Sequence, residues 1–251
     1  MDYRKRKKQR PVRPKIKQPA SLPLHFHKLN WLEWVSIILG IWFWIYPRPY
    51  IFLFSVLLII PILGIILNGF RRPSIASLVE ITEDADGEAD YDVADFIVFP
   101  AWVILVRVLL DFEFEDFYTL IIPGTIAFTS MVIVLLLTHQ LIAKSRKNKF
   151  WIYGSLLFNI CLYSYAGTYG ANCVYDRSTP EVYEAEVTGK SISRSRKHTS
   201  YYVKVTPWGH HYDPEEIRVS RDHYNEIIVG QTVKIDLHKG LFNIPWYNIE
   251  R

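Results

Sequence analysis

The amino-acid sequence predicts two unlike parts: a membrane α-helical bundle of four or five transmembrane helices, then a small all-β C-terminal domain, an SH3-like or OB-like barrel or sandwich. Three observations predict it. Five apolar runs of fifteen to twenty residues recur between residues 32 and 167. Trp and Tyr gather at the ends of these runs, as they do at the headgroup level, where an apolar ring and a polar N–H or O–H are both satisfied. After Asp176 the apolar residues alternate with polar ones instead, the period of a half-buried strand.

Composition narrows the class. Of 251 residues, 50% are hydrophobic and 22% charged, which excludes a disordered chain and argues against a uniform water-soluble globule. The net charge of +4 is unevenly spread, since residues 1–17 hold nine Lys/Arg against one Asp. Two cysteines, Cys161 and Cys173, are too few for a disulfide scaffold.

Taken in order, residues 1–28 form a basic tail that marks the cytoplasmic side. Beside an apolar run, anionic lipid explains that charge more simply than nucleic acid does, and the whole reads as an uncleaved anchor. The bundle occupies residues 29–170. Its first runs, Leu32–Tyr46 and Tyr50–Leu67, are separated by Pro47-Arg48-Pro49, and prolines cannot continue a helix, so the pair reads as a helical hairpin. Residues 68–95 form an acidic loop, with eight acidic residues from Glu80 to Asp95 and no basic one; Ser77–Thr82 could add a short strand. Phe96–Leu110 holds Pro100 and Arg107 and is short of the roughly 20 residues a span needs, so it either crosses or lies in the interface. Thr119–Thr138 and Phe150–Gly167 complete the set.

Charge sets the topology. Lys144, Arg146, Lys147 and Lys149 read as a second cytoplasmic loop, so an even number of spans lies between them and the tail. This favours Phe96–Leu110 as a span and a multi-pass cell-membrane protein with its C-terminal domain outside. Four spans with an interfacial helix would put that domain inside.

Residues 176–251 hold eleven basic and eleven acidic residues. Strands are expected at Val182–Val187, Tyr201–Thr206, Ile217–Val219 and Val233–Leu237, with turns at Gly189, Pro207–Gly209, Asp213-Pro214, Gly230 and Gly240 and a helical turn at Tyr224–Ile227. The order Val187, Gly189, Lys190, then Tyr201, Tyr202, Val205, then Val229, Gly230, Val233, Ile235, ending in Gly240 and Trp246, resembles small β modules of uncharacterised bacterial multi-pass membrane proteins. The resemblance covers residues 181–251 and implies a bacterial envelope setting, with no chemistry attached.

Several constellations bear on function. Asp84, Asp86, Glu88 and Asp90 could offer oxygens to a divalent cation, but the EF-hand order is not met. His210, His211 and Asp213 lie in one turn, with His198, His223 and His238 elsewhere in the module; imidazole and carboxylate suit zinc or nickel, yet adjacent histidines on a straight strand would face apart. No nucleophile elbow, phosphate loop or H-E-x-x-H motif occurs, and no cofactor is implied. Arg107 and Asn159 are the main intramembrane polar groups; with Pro61, Pro100 and Pro123 they outline a small-solute transporter as the alternative. The favoured role is a non-enzymatic membrane-anchored interaction or assembly module. Its partners are the lipid bilayer and another envelope protein, met through Tyr201, Tyr202, Trp208, Tyr212 and Trp246.

Overall fold

The computed structural model describes residues 29–83, 89–142, 149–194 and 199–249. The basic tail, three residues of the second basic cluster (Lys144, Arg146, Lys147), His198, and Asp84, Asp86 and Glu88 of the acidic loop lie outside these residues. The described helical part runs α1 (Asn30–Ile45), α2 (Tyr50–Asn68), α3 (Asp95–Asp111), α4 (Ile121–Thr138) and α5 (Lys149–Val174). The break between α1 and α2 falls at the two prolines, and Pro49 forms the N-terminal boundary of α2, where its missing N–H costs nothing.

Helix α3 is central, packed on α1, α2 and α5. Its Phe96, Ile97, Ala101, Ile104 and Val108 are buried. Close approach depends on small residues: side chains added at Gly64 or Gly170 would overlap the Phe96 ring in one case, Phe54 and Val108 in the other. The helices alternate in direction, so the bundle has two distinct ends. At one end a hairpin of β1 (Val79–Glu83) and β2 (Ala89–Val93) sits beside the Ser74–Gln140 bridge, and Tyr91 stacks on Trp151 at the start of α5. The acidic loop is therefore built around a strand pair, in register from Val79↔Val93, because Val79 and Val93 are buried on the bundle. At the other end, the Tyr50 hydroxyl donates to Asp111 at 2.8 Å, joining the start of α2 to the end of α3.

Two stretches of helix, Tyr50–Arg71 and Phe117–Thr138, are long and apolar enough to cross a membrane, and 39% and 22% of their most apolar parts lie buried. The expectation of four or five spans is not supported. Helix α1 has 16 residues and α3 has 17, with Asp95, Arg107 and Asp111 among them. Helix α5 is longer at 26 residues, but Ser, Asn, Gly and Tyr dilute its apolar content, and it runs past residue 170 to Val174.

The second part is a six-stranded antiparallel sheet, nearly closed, in the order β3 (Glu113–Phe114), β8 (Trp246–Ile249), β7 (Thr232–His238), β4 (Glu181–Arg194), β5 (Thr199–Val205), β6 (Glu215–Val219). The 14-residue β4 explains its curl. Its first half pairs with β7, a register shift falls between Val187 and Gly189, and its second half pairs with β5. The sheet thereby wraps one core, in which Val187, Val203, Val205 and Ile235 are fully covered beside Trp208 and Ile217. Each such aliphatic contributes roughly 1.5–3 kcal/mol by burial. The short α6 (Arg221–Glu226) is capped by Ser220 and held where Lys190 Nζ donates to Ile227 O at 2.7 Å. The expected strands are present, but the boundary at residue 176 is crossed: the edge strand β3 comes from the segment between α3 and α4.

Candidate functional site

The two parts meet in one joint, built from the residues that follow α3 and end α5. Extended backbone after Asp111 lets Glu113 and Phe114 pair with Tyr247 and Trp246 of β8, and Glu115 N–H reaches Pro245 O at 3.3 Å. Phe114 stacks on Tyr169 of α5 at 3.5 Å, and Phe112 meets Trp246 edge-on at 5.1 Å. From α5, the fully buried Asn172 donates to Ile244 O and accepts from Phe242 N–H, both at 2.8 Å, while its carbonyl accepts from Leu241 N–H at 3.0 Å. Gly240 makes this possible: its φ of +74° suits glycine, and a Cβ there would strike the Asn172 amide.

Asp176 finishes the clamp. Its carboxylate accepts from Gly240 N–H at 2.9 Å, Trp246 Nε1–H at 3.1 Å and Ser178. Burial alone would raise its pKa, but these hydrogen bonds outweigh burial and hold it below the ordinary carboxylate value. His238 lies flat on Trp246 at 4.0 Å; burial lowers its pKa, against the pull of Asp176 and Asp236. An open cleft of about 490 Å³ lies here, lined by Tyr175, Asp176, Arg177, Ser178, Gly240 and Leu241.

At the same joint, the turn after β5 gathers metal-ligating side chains. Gly209 has φ +53°, and the tight turn it allows brings His211 N–H to Trp208 O at 2.8 Å. The chain bends, so His210 and His211 do not face apart; their rings lie nearly parallel with centroids 5.0 Å apart. His210 Nε2 contacts the Glu115 carboxylate. One donor atom from each of Glu115, His210 and His211 lies within 4.8 Å of the others. Behind them, Glu215 approaches His211 Nδ1 at 3.6 Å and accepts from Trp208 Nε1–H at 3.2 Å and Tyr247 OH at 2.7 Å.

Of the residues singled out in the sequence, His210 and His211 thus come together, while Asp213 is exposed and outside the group. His238 belongs to the Asp176 clamp, and His223 lines a separate cavity of about 280 Å³ beside β7. Glu115 was not among the expected residues: its place follows from β3–β8 pairing, which nothing local announces. Arg107 stands 2.8 Å from Asp111, an ion pair whose Nε–H is not aligned as a hydrogen bond. Asn159 donates to Ser155 O one turn back at 2.9 Å. The two described cavities touch neither residue. Among the aromatics, Trp208 and Trp246 are buried, because the sheet closes over one and the joint over the other. Tyr201 and Tyr202 are half-buried, Tyr201 against Tyr224, and Tyr212 is 89% exposed.

Compared with protein-family models, curated proteins and solved structures, the chain matches none.

Proposed function

We propose that this protein is a membrane-anchored interaction module. Its helical part lies in a bilayer, with α2 and α4 crossing and α1, α3 and α5 packed alongside them, and its β module stands in water at one face. The observation that carries this reading is the outer surface of the bundle. Ile38, Ile45, Phe52, Ile59, Ile122 and Ile126 all face outward between two ends that carry polar structure. Trp31 and Trp34 mark one end of that apolar band, Trp44 and Tyr46 the other. Water would not tolerate so large a continuous apolar surface, whereas hydrocarbon removes the cost. The β module supports the interaction role: β6 lies at the edge of the sheet order, next to the exposed Tyr212, and an edge can take an extended segment of an envelope partner by backbone hydrogen bonds.

Fractionation tests the anchor. The chain is expected in the membrane pellet after an alkaline carbonate wash, extracted only by detergent. Recovery in the supernatant without detergent would overturn the reading. Photo-crosslinking from position 212 tests the partner: a defined adduct is expected from Tyr212 and none from a reporter at Ile235 in the covered core.

A further inference from the structure

The structure assigns a divalent transition-metal site to Glu115, His210 and His211, and we propose zinc as its natural occupant. Three features point to a ligand rather than to a surface ion pair. The donors are two imidazoles and a carboxylate, the set zinc takes with three protein ligands and one open position. A carboxylate stands behind His211: Nδ1 lies 3.6 Å from Glu215, longer than a hydrogen bond but close enough for the charge to act on the ring, and Trp208 and Tyr247 fix that carboxylate in place. Its other nitrogen, Nε2, is buried with no hydrogen-bond partner, a costly state for a polar atom that a metal bond would relieve.

The spacing is compatible. Donors around one tetrahedral zinc stand about 3.3 Å apart, given bonds of about 2.0–2.2 Å, and the group already lies within 4.8 Å. His210, with a 60% exposed side chain, already contacts the Glu115 carboxylate, and the pair would open to admit the ion. The ion would tie the segment after α3 to the turn after β5, so it would lock the β module to the helical part, leaving its fourth position to water or to a partner's side chain. This inference stands whether or not the helices lie in lipid.

The test uses the full chain in detergent, stripped with a chelator and dialysed against zinc. One Zn²⁺ per chain is expected by elemental analysis, with Co²⁺ giving the visible absorption of a tetrahedral site. E115Q and H210Q should each weaken zinc at least tenfold in a competition titration. E215Q, which removes the charge 3.6 Å from His211 Nδ1 and also one acceptor for Trp208 or Tyr247, should weaken zinc by about tenfold. Zinc should also raise the melting temperature of the wild-type chain and leave that of E115Q unmoved. A wild-type chain that takes up neither Zn²⁺ nor Co²⁺ at micromolar free metal overturns the site, a result that needs no variant to fold. Zinc uptake that E115Q and H210Q both leave unchanged overturns it equally.

Discussion

The helical part and the β module bury their apolar residues by opposite rules. In the module, Val203, Val205 and Ile235 point inward while Glu184, Lys204 and Lys234 alternate with them toward solvent, as water demands of a sheet with one covered face. In the bundle, apolar residues fill the inside and also the outside: Phe54 is fully covered, and its neighbour Phe52 is 57% exposed. Neither polarity nor size alone separates inside from outside there: Gly64, Gly170 and Ala101 lie on covered faces, and so do Phe43, Phe96 and Tyr169. The contrast teaches that hydrophobicity locates the core of the β module but does not tell inside from outside in the bundle.

Charge placed in each part gives the sharpest contrast. Ile235→Asp should unfold the β module, since an unpaired carboxylate at a fully covered site costs about 4 kcal/mol or more, seen as loss of its cooperative transition by circular dichroism. Ile126→Asp lies on the outward face of α4. If hydrocarbon surrounds it, the change costs about 2.5–3.5 kcal/mol and drains the chain from the membrane fraction. A neutral result in that assay would break the comparison. Asn172→Ala attacks the joint between the parts and leaves Ile244 O and Phe242 N–H without partners. A loss of about 2–3 kcal/mol is expected, together with faster amide exchange at 240–245 while the sheet core stays protected.

At the joint, acid should produce the smallest effect of the four. His238 and Asp176 both have folded pKa values below their ordinary ones. Each group therefore binds its proton more readily when unfolded, and its contribution is present at high pH and lost as pH falls. The first loss begins as pH drops below about 6.5 and the second below about 4. The groups facing His238 are Asp176, Asp236 and the Trp246 ring. Thermal melts of the wild type at pH 7.5, 5.5 and 3.5 should fall stepwise, and D176N should remove the lower step.

Much of this organisation was legible in the sequence, and the parts that were not share a cause. Alternation at Val233, Ile235 and Leu237 marked β7 because a strand's neighbours in sequence decide its faces. Pro47 and Pro49 marked the helical hairpin because a missing N–H acts locally. By contrast, β3 has two residues, too few for any periodicity, and Glu115 gains its place only through a partner strand far along the chain. Trp208 and Trp246 looked like contact residues because an aromatic in a turn or at a strand end reads the same whether it faces out or in. The span count failed for a different reason: apolar runs signal immersion, yet Arg107 and Asp111 in α3 and the Ser, Asn and Gly of α5 belong to helices that meet other helices more than they meet the surroundings.

The pairing of Phe114 with Trp246 sets an order of events during synthesis. Phe114 leaves the ribosome early, between two helices, and must wait with an open backbone edge until α4, α5 and most of the sheet have been made. Only when Trp246 arrives can the ring of Phe112 and the carboxylate of Asp176 find it and close the seam. A chain halted before residue 246 would lack the partner that Phe112, Phe114 and Asp176 share, so the seam waits on β8.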